Sequence, residues 1–343
     1  MMREARIEAR GSADVRAGRR DYVAAVSARR LALAALATAA LLAVAAPAPA
    51  GAAFPGRDGR LVYSWGSFSE SEDAPYPSRT ESALQTIAPT GGMPATLRSC
   101  VRETGKPDVG DCSTGYGTPA VSPDGRWLAL DAGAQLALMR FDGSGFRLLP
   151  AHLADDGDPA FSANGKRLAY SAGAIAVAGQ PAPPRGIWTS DLAGADARQV
   201  TARGTQPAWS TRSWIAFLRK DGIYRVRPDG HGLRRIVHRD RCKDVAWSPG
   251  GTKIAFACTT KHLGGRLYVA NGDGGHLRRV PIGYASPEGV AWSPSGKRLA
   301  VTDFDGSLVT IRLDGSGERG LVSGSAGANY NSGAGAADWQ PLP

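Results

Sequence analysis

The densest group of side chains able to do chemistry is the run HLADDGD, where Asp155, Asp156 and Asp158 place three carboxylates within four positions. Clustered oxygen ligands suit Ca²⁺, but an EF-hand spaces them through a fixed loop with an internal Gly. That frame is absent, so the run reads as a solvated acidic loop; no cofactor or metal site is expected, and Ca²⁺ is the one ion the run could hold. The five histidines, His152, His231, His238, His262 and His276, lack any ligand spacing. There is no G-x-S-x-G elbow and no H-E-x-x-H pair. Catalysis would need carboxylates brought together from distant segments, as in a secreted polysaccharide lyase or glycoside hydrolase. This is the alternative to a non-enzymatic binding protein.

The four cysteines have no C-x-x-C spacing, so their chemistry depends on the compartment. Residues 1 to 30 carry eight arginines and lead into LALAALATAALLAVAAPAPAGAA, an apolar run from Leu31 broken by Pro47 and Pro49. A basic start, a short apolar core and A-x-A sites at 48–50 and 50–52 read as an export signal cut near position 50 to 53, or as an N-terminal anchor if uncleaved. Residues 1–53 are therefore expected to place the remainder in the cell envelope or outside the cell. Removing the eight arginines and four acids before position 53 leaves +6 of the formal +10. In an oxidising compartment an even number of cysteines implies two disulfides.

The elements that must position these groups come from a repeat. Five segments begin alike: TPAVSPDGRWLAL (118), DPAFSANGKRLAY (158), QPAWSTRSWIAF (206), DVAWSPGGTKIAF (244) and GVAWSPSGKRLAV (289). Each continues into a second signature, such as LMRFDGSGFRLLP or VTIRLDGSGERGLV. Ser-Pro-Asp-Gly sets Pro in a type I turn and Gly at positive φ, which joins two antiparallel strands. The second signature adds a third and a fourth strand. Self-similarity at this period is the mark of a propeller, each unit being one four-stranded blade. The segments GRLVYSW (59), SALQTIAP (82) and GGMPATLRSC (91) supply three strands of another blade without its first. The ending ADWQPLP supplies the missing one, so the expectation is an all-β, six-bladed β-propeller over residues 54–343, closed by its C-terminal strand.

The P-x-W-S-P-D-G hairpin followed by a hydrophobic-DG-x-x-x-x-L segment resembles the WD-like repeats of TolB-type six-bladed propellers, across residues 54 to 343. The resemblance implies a stand-alone propeller, without the N-terminal α/β domain of TolB, serving as a binding scaffold in the cell envelope. Repeat three departs from the pattern, with STRSW in place of the Pro-Asp-Gly turn.

In a propeller, connections between strands one and two and between three and four lie on one face. Those between strands two and three, and between blades, lie on the other. All the long inserts, 66–81, 99–117, 171–186, 259–265 and 323–336, are of the second kind, which makes that face the expected binding face. Its candidate residues are Tyr116, Asp155, Asp156, Asp158, Arg219, His238, Arg241, Tyr284, Glu288, Asp303, Asp305 and Tyr330. Asp158, Gln206, Asp244 and Gly289 precede their inner strands at matching positions and should ring the channel mouth. A mixed rim of Asp, Arg and Tyr fits a protein partner or an envelope glycan, and the chain is expected to be monomeric, touching a membrane only through an uncleaved N-terminal segment. Nucleic acid is excluded, because Arg234-Arg235 and Arg278-Arg279 lie on outer strands of different blades rather than on one face. In CKDVAWSPGGTKIAFAC, counting outward from the turn sets Cys242 opposite Cys258, at an expected Cα separation of about 4.5–5.5 Å. Cys100 and Cys112 remain to pair with each other inside one insert.

Overall fold

A computed structural model of the chain describes residues 54–69, 79–103, 106–110, 116–150, 155–173, 185–259, 264–283, 286–326 and 330–343. These form six antiparallel sheets. Five are four-stranded blades, one from each repeat, and the sixth joins the N-terminal strands Arg57–Ser69, Arg79–Ile87 and Ala95–Glu103 to the C-terminal strand Tyr330–Leu342. The inner strands Ala120–Val121, Asp155–Phe161, Thr205–Trp209, Cys242–Trp247, Pro287–Trp292 and Tyr330–Leu342 each touch the next, and the last touches the first. The ring is closed by the C-terminal strand, as the composite blade requires.

The serine that opens every first turn has a structural task. Ser122 Oγ accepts the Trp127 N–H at 2.9 Å and donates to Asp124 Oδ1 at 2.6 Å. Ser162, Ser248 and Ser293 accept the equivalent N–H of Arg167, Lys253 and Arg298, and Ser210 accepts that of Trp214. A buried hydroxyl thus satisfies a donor that the tight turn would leave unpaired. In repeat three Ser213 takes the left-handed place filled by Gly125, Gly165, Gly251 and Gly296 elsewhere, with φ 57°. The hairpin forms without its glycine.

Near the axis the blades must be thin. In all five repeats an alanine of the inner strand stands directly opposite an alanine of the second: Ala120 and Ala129, Ala160 and Ala169, Ala208 and Ala216, Ala246 and Ala255, Ala291 and Ala300. These small side chains, buried on both faces, let neighbouring blades approach. The next position outward on the inner strand is large: Trp209, Trp247 and Trp292 fill the space between blades, and Trp339 does so in the composite blade. There the alanine is replaced. Asp338 lies opposite Val62, and its Oδ2 accepts the N–H of Val121, on the inner strand of the adjacent blade, at 2.8 Å. Burial pushes the Asp338 carboxyl up to about 7, with the Val121 and Trp339 N–H groups pulling the other way.

Several of the inserts expected as loops are strand. Residues 66–69 pair with 79–82, 99–103 with 79–83, and 330–334 with 65–69, so the composite blade extends well past its neighbours. Its strands run to 13 residues, against seven at most in the others. Two short pieces, Val109–Gly110 and Ser325–Ala326, widen it to six strands.

Cys242 and Cys258 are opposite each other and form a disulfide. Their Cα atoms are 3.8 Å apart, closer than expected, at a bulge that leaves Lys243 unmatched between two rungs of the ladder. Cys100 is also disulfide-bonded, while Cys112, its expected partner, lies outside the described residues.

Candidate functional site

At the long-connection end of the channel the inner strands bulge. The extra residue is matched by none on the second strand in repeats two to five. In repeats two and three the bulge sets Asp158 and Gln206 in the left-handed region, at φ 57° and 56°. This conformation costs a non-glycine residue about 1 kcal/mol or more, and Asp bears it better than most. The reorientation turns backbone N–H groups sideways, toward the preceding blade.

Those donors are met by a chain of polar groups. Asp158 N donates to Asp131 Oδ1 at 2.7 Å. Ser171 Oγ donates to Asp158 Oδ2, and Gln206 N donates to the same carboxylate at 3.2 Å and to Ser171 Oγ at 3.0 Å. Asp131 and Ser171 occupy the same place on successive second strands, so one repeat uses a carboxylate where the next uses a hydroxyl. Further round, Asp244 accepts the N–H of Val245 and, at 2.8 Å, that of Val290 in the next blade. Burial, then the charge of Asp158, pushes the Asp131 carboxyl up to about 8; burial raises Asp158 as well. The channel-mouth acids fasten blade to blade, each giving at least one carboxylate oxygen to a backbone N–H of a neighbouring strand.

The expected residues divide accordingly. Asp155 pairs with Arg185 at 3.0 Å, Asp156 is buried, and Asp158 faces the channel-mouth chain, so the three carboxylates do not converge on one point. Tyr116 is 5% exposed and belongs to the core. Glu288 meets Lys243 at 3.2 Å, the two standing at equivalent bulges of adjacent blades; burial raises its carboxyl despite that partner. Asp303 and Asp305 build a turn: Ser286 N and Ser307 N donate to their side chains, and Phe304 between them is 67% exposed. His238 is exposed. Tyr284 and the side chain of Tyr330 lie outside the described residues.

Arg219 and Arg241 do come together. They line a cavity of about 900 Å³ between repeats three and four. Its walls come from the connection into repeat three (Arg203 to Gln206), the turn between that repeat's second and third strands (Leu218 to Asp221), and the connection into repeat four (Asp240 to Lys243). All three are connections of the long-insert face. The cavity is bounded by six cationic side chains, Arg185, Arg203, Arg219, Lys220, Arg241 and Lys243, against the two acids Asp221 and Asp240. Asp221 is already engaged by Arg235 at 2.6 Å and by the Tyr224 hydroxyl at 2.9 Å. Arg185 and Lys243 are matched by Asp155 and Glu288. Among the described residues, Arg203, Arg219 and Lys220 pair with no carboxylate, and Arg241 stands 3.9 Å from Asp240. The Arg219 guanidinium lies 4.4 Å from the Tyr224 ring centre and donates to Arg203 O and Thr201 Oγ1, so its position is fixed. Lys220 follows Arg219 in the turn RKDG, which the sequence already places on this face, whereas Arg203 and Arg185 were not legible as site residues. The one signal for Arg203 was that successive blade-to-blade connections, TARGTQ and HRDRCK, both carry arginine.

No family model matches the chain. Part of it, 98 residues or 28% of its length, is 37% identical to the "Uncharacterized peptidase YuxL" of Bacillus subtilis, and spans 13% of that protein. Among solved structures it is similar to TolB from Acinetobacter baumannii, with a TM-score of 0.58 and 18% identity over 82% of this chain and 67% of that one. It is also similar to a protein described as TolB from Agrobacterium tumefaciens, with a TM-score of 0.50 and 20% identity over 70% of this chain and 95% of that one. The fold is a TolB-like six-bladed propeller.

Proposed function

We propose that the chain is an exported, non-enzymatic propeller that binds a protein through the face carrying its blade-to-blade connections. The observation that carries this reading is the cavity between repeats three and four, built from three such connections. The opposite face offers tight turns whose aspartates are spent on their own backbones: Asp142, Asp229, Asp273 and Asp314 each accept an N–H two residues on. A TolB-like fold is compatible with a protein-binding scaffold, and function on such a fold is set by its loops.

Export is supported by the basic and apolar N-terminal sequence and by the disulfide between Cys242 and Cys258. The mass of the mature N-terminus tests it, cleavage near position 50 to 53 being expected. The reading as a polysaccharide lyase or glycoside hydrolase needs carboxylates free to reach a substrate. Asp131, Asp158, Asp244 and Asp338 instead accept backbone N–H groups of adjacent inner strands. Purified protein incubated with acidic and neutral polysaccharides should release no products, while affinity capture from envelope extract should return a partner. Sustained cleavage abolished by Asp131→Asn would replace this reading with the enzymatic one.

A further inference from the structure

We infer that the cavity between repeats three and four is an anion site that takes an acidic segment of a partner protein. The inference rests on the binding-face reading above and names the chemistry of the ligand. Three cations without a carboxylate partner among the described residues, Arg203, Arg219 and Lys220, together with the weakly matched Arg241, face one cavity of about 900 Å³. Like charges gathered in this way repel one another, and a bound anion removes that cost. Three of the four are arginines, whose planar forks match carboxylates in a bidentate manner. Arg219 is held ready by Tyr224 and by two hydrogen bonds, so binding orders little there.

The cavity favours a peptide over an acidic sugar. A pyranose ring would seek a free aromatic face. The Tyr224 ring stacks with Phe217 at 5.9 Å and carries the Arg219 guanidinium, so its π-surface is taken up within the protein. What remains at the walls is Leu218, Gly204, Thr205 and the Cys242 disulfide beside the cations, a lining of backbone, small groups and charge. Aspartate and glutamate side chains on an extended segment fit that lining. The disulfide fixes Cys242, at the floor of the connection that carries Arg241, to the second strand of repeat four.

The test uses the mature protein and a fluorescent decapeptide of alternating Asp and Glu, with its Asn and Gln counterpart as the neutral probe and oligogalacturonate as the sugar probe. Anisotropy should show binding of the acidic peptide alone, weakening steeply between 50 and about 200 mM salt as screening predicts. The triple variant R203Q/K220Q/R241Q alters exposed side chains and should bind at least tenfold more weakly with unchanged melting behaviour. The control R126Q/K166Q/K297Q removes three exposed charges from the tight turns of the opposite face and should bind as the wild type does. Equal loss in both triples would show unspecific attraction and overturn the inference. Tighter binding of oligogalacturonate than of the peptide would overturn it in favour of a glycan. Capture of an envelope partner that survives R203Q/K220Q/R241Q would overturn the anion site while leaving the binding face standing, whereas capture lost only in the control triple would refute the face itself.

Discussion

Removing residues 337–343 takes out the strand segment that closes the ring, and its cost can be assembled from the contacts it makes. Trp339 is 1% exposed. A tryptophan side chain buries about 200 Å², which at about 25 cal/mol per Å² is worth about 5 kcal/mol. Loss of Asp338 leaves the buried Val121 N–H without its acceptor, a further penalty of about 1–3 kcal/mol. The hydrogen bonds from Gln340 to Gly125 O and from Arg57 to Pro343 O also go, and the strand Arg57–Ser69 loses half its inner partner. The total, about 6–8 kcal/mol, is comparable with the whole stability of an ordinary domain, about 5–15 kcal/mol. The truncated protein should be insoluble, or should unfold with its new edges exposed. Trp339→Ala gives the graded form of the experiment: a loss of about 3–5 kcal/mol, seen in calorimetry as a fall of about 6–10 °C at roughly 2 °C per kcal/mol. Trp292→Ala, in a blade that is continuous in sequence, should cost a similar amount. If the truncated protein melts as the intact one does while Trp292→Ala is destabilised, the composite blade does not hold the ring.

Two further outcomes follow from buried groups. Peptide mapping without reduction should join Cys242 to Cys258 and Cys100 to Cys112; replacing the first pair by serine should cost about 3 kcal/mol, the loop-closure value for a bridge across 16 residues, and a crossed pairing would refute the blade register. Asp131 and Asp338 have folded-state carboxyl values of about 8 and about 7, above the ordinary range. Their contribution to stability is therefore complete below about pH 4 and is lost as pH rises through those values. The midpoint of denaturant unfolding should fall between pH 5.5 and about 8.5, and Asp131→Asn, which keeps an oxygen for the Asp158 N–H, should flatten the fall; a midpoint that rises over this range would contradict it.

The fold was legible because each repeat states its chemistry locally: a turn, two short apolar runs, a second turn. Even Ser213, which breaks the pattern, adopts the conformation its position demands, since neighbouring blades fix both strands of that hairpin. The cysteine pair was found through two offsetting details. A direct count from the turn, Ser248 facing Thr252, leads to Cys242 opposite Cys258; the turn in fact places Ser248 against Lys253, and the bulge at Lys243 then restores the count, so that Cys242 still meets Cys258. Bulges leave no local signature, which is also why Asp158 and Asp244 read as rim residues when their oxygens bind neighbouring strands. Residues 66–69 and 330–336 read as loop because their strand character depends on pairing with each other across the length of the chain. The cavity was half legible. Arg219 and Lys220, side by side in one turn, and Arg241 stand out as charges on connections, but their convergence across the cavity with Arg203 is set by the rotation from one blade to the next, which no single repeat encodes.

The central claim is that this propeller binds through one face, at the cavity between repeats three and four. A photoreactive amino acid placed at Lys220 or Arg241, on the cavity, and separately at Lys166 or Lys297, on the opposite turns, measures this in intact cells. The two cavity positions should give one shared cross-linked protein on irradiation, and the two turn positions should not. The same product from Lys166 and Lys297, with none from Lys220 and Arg241, would contradict the account.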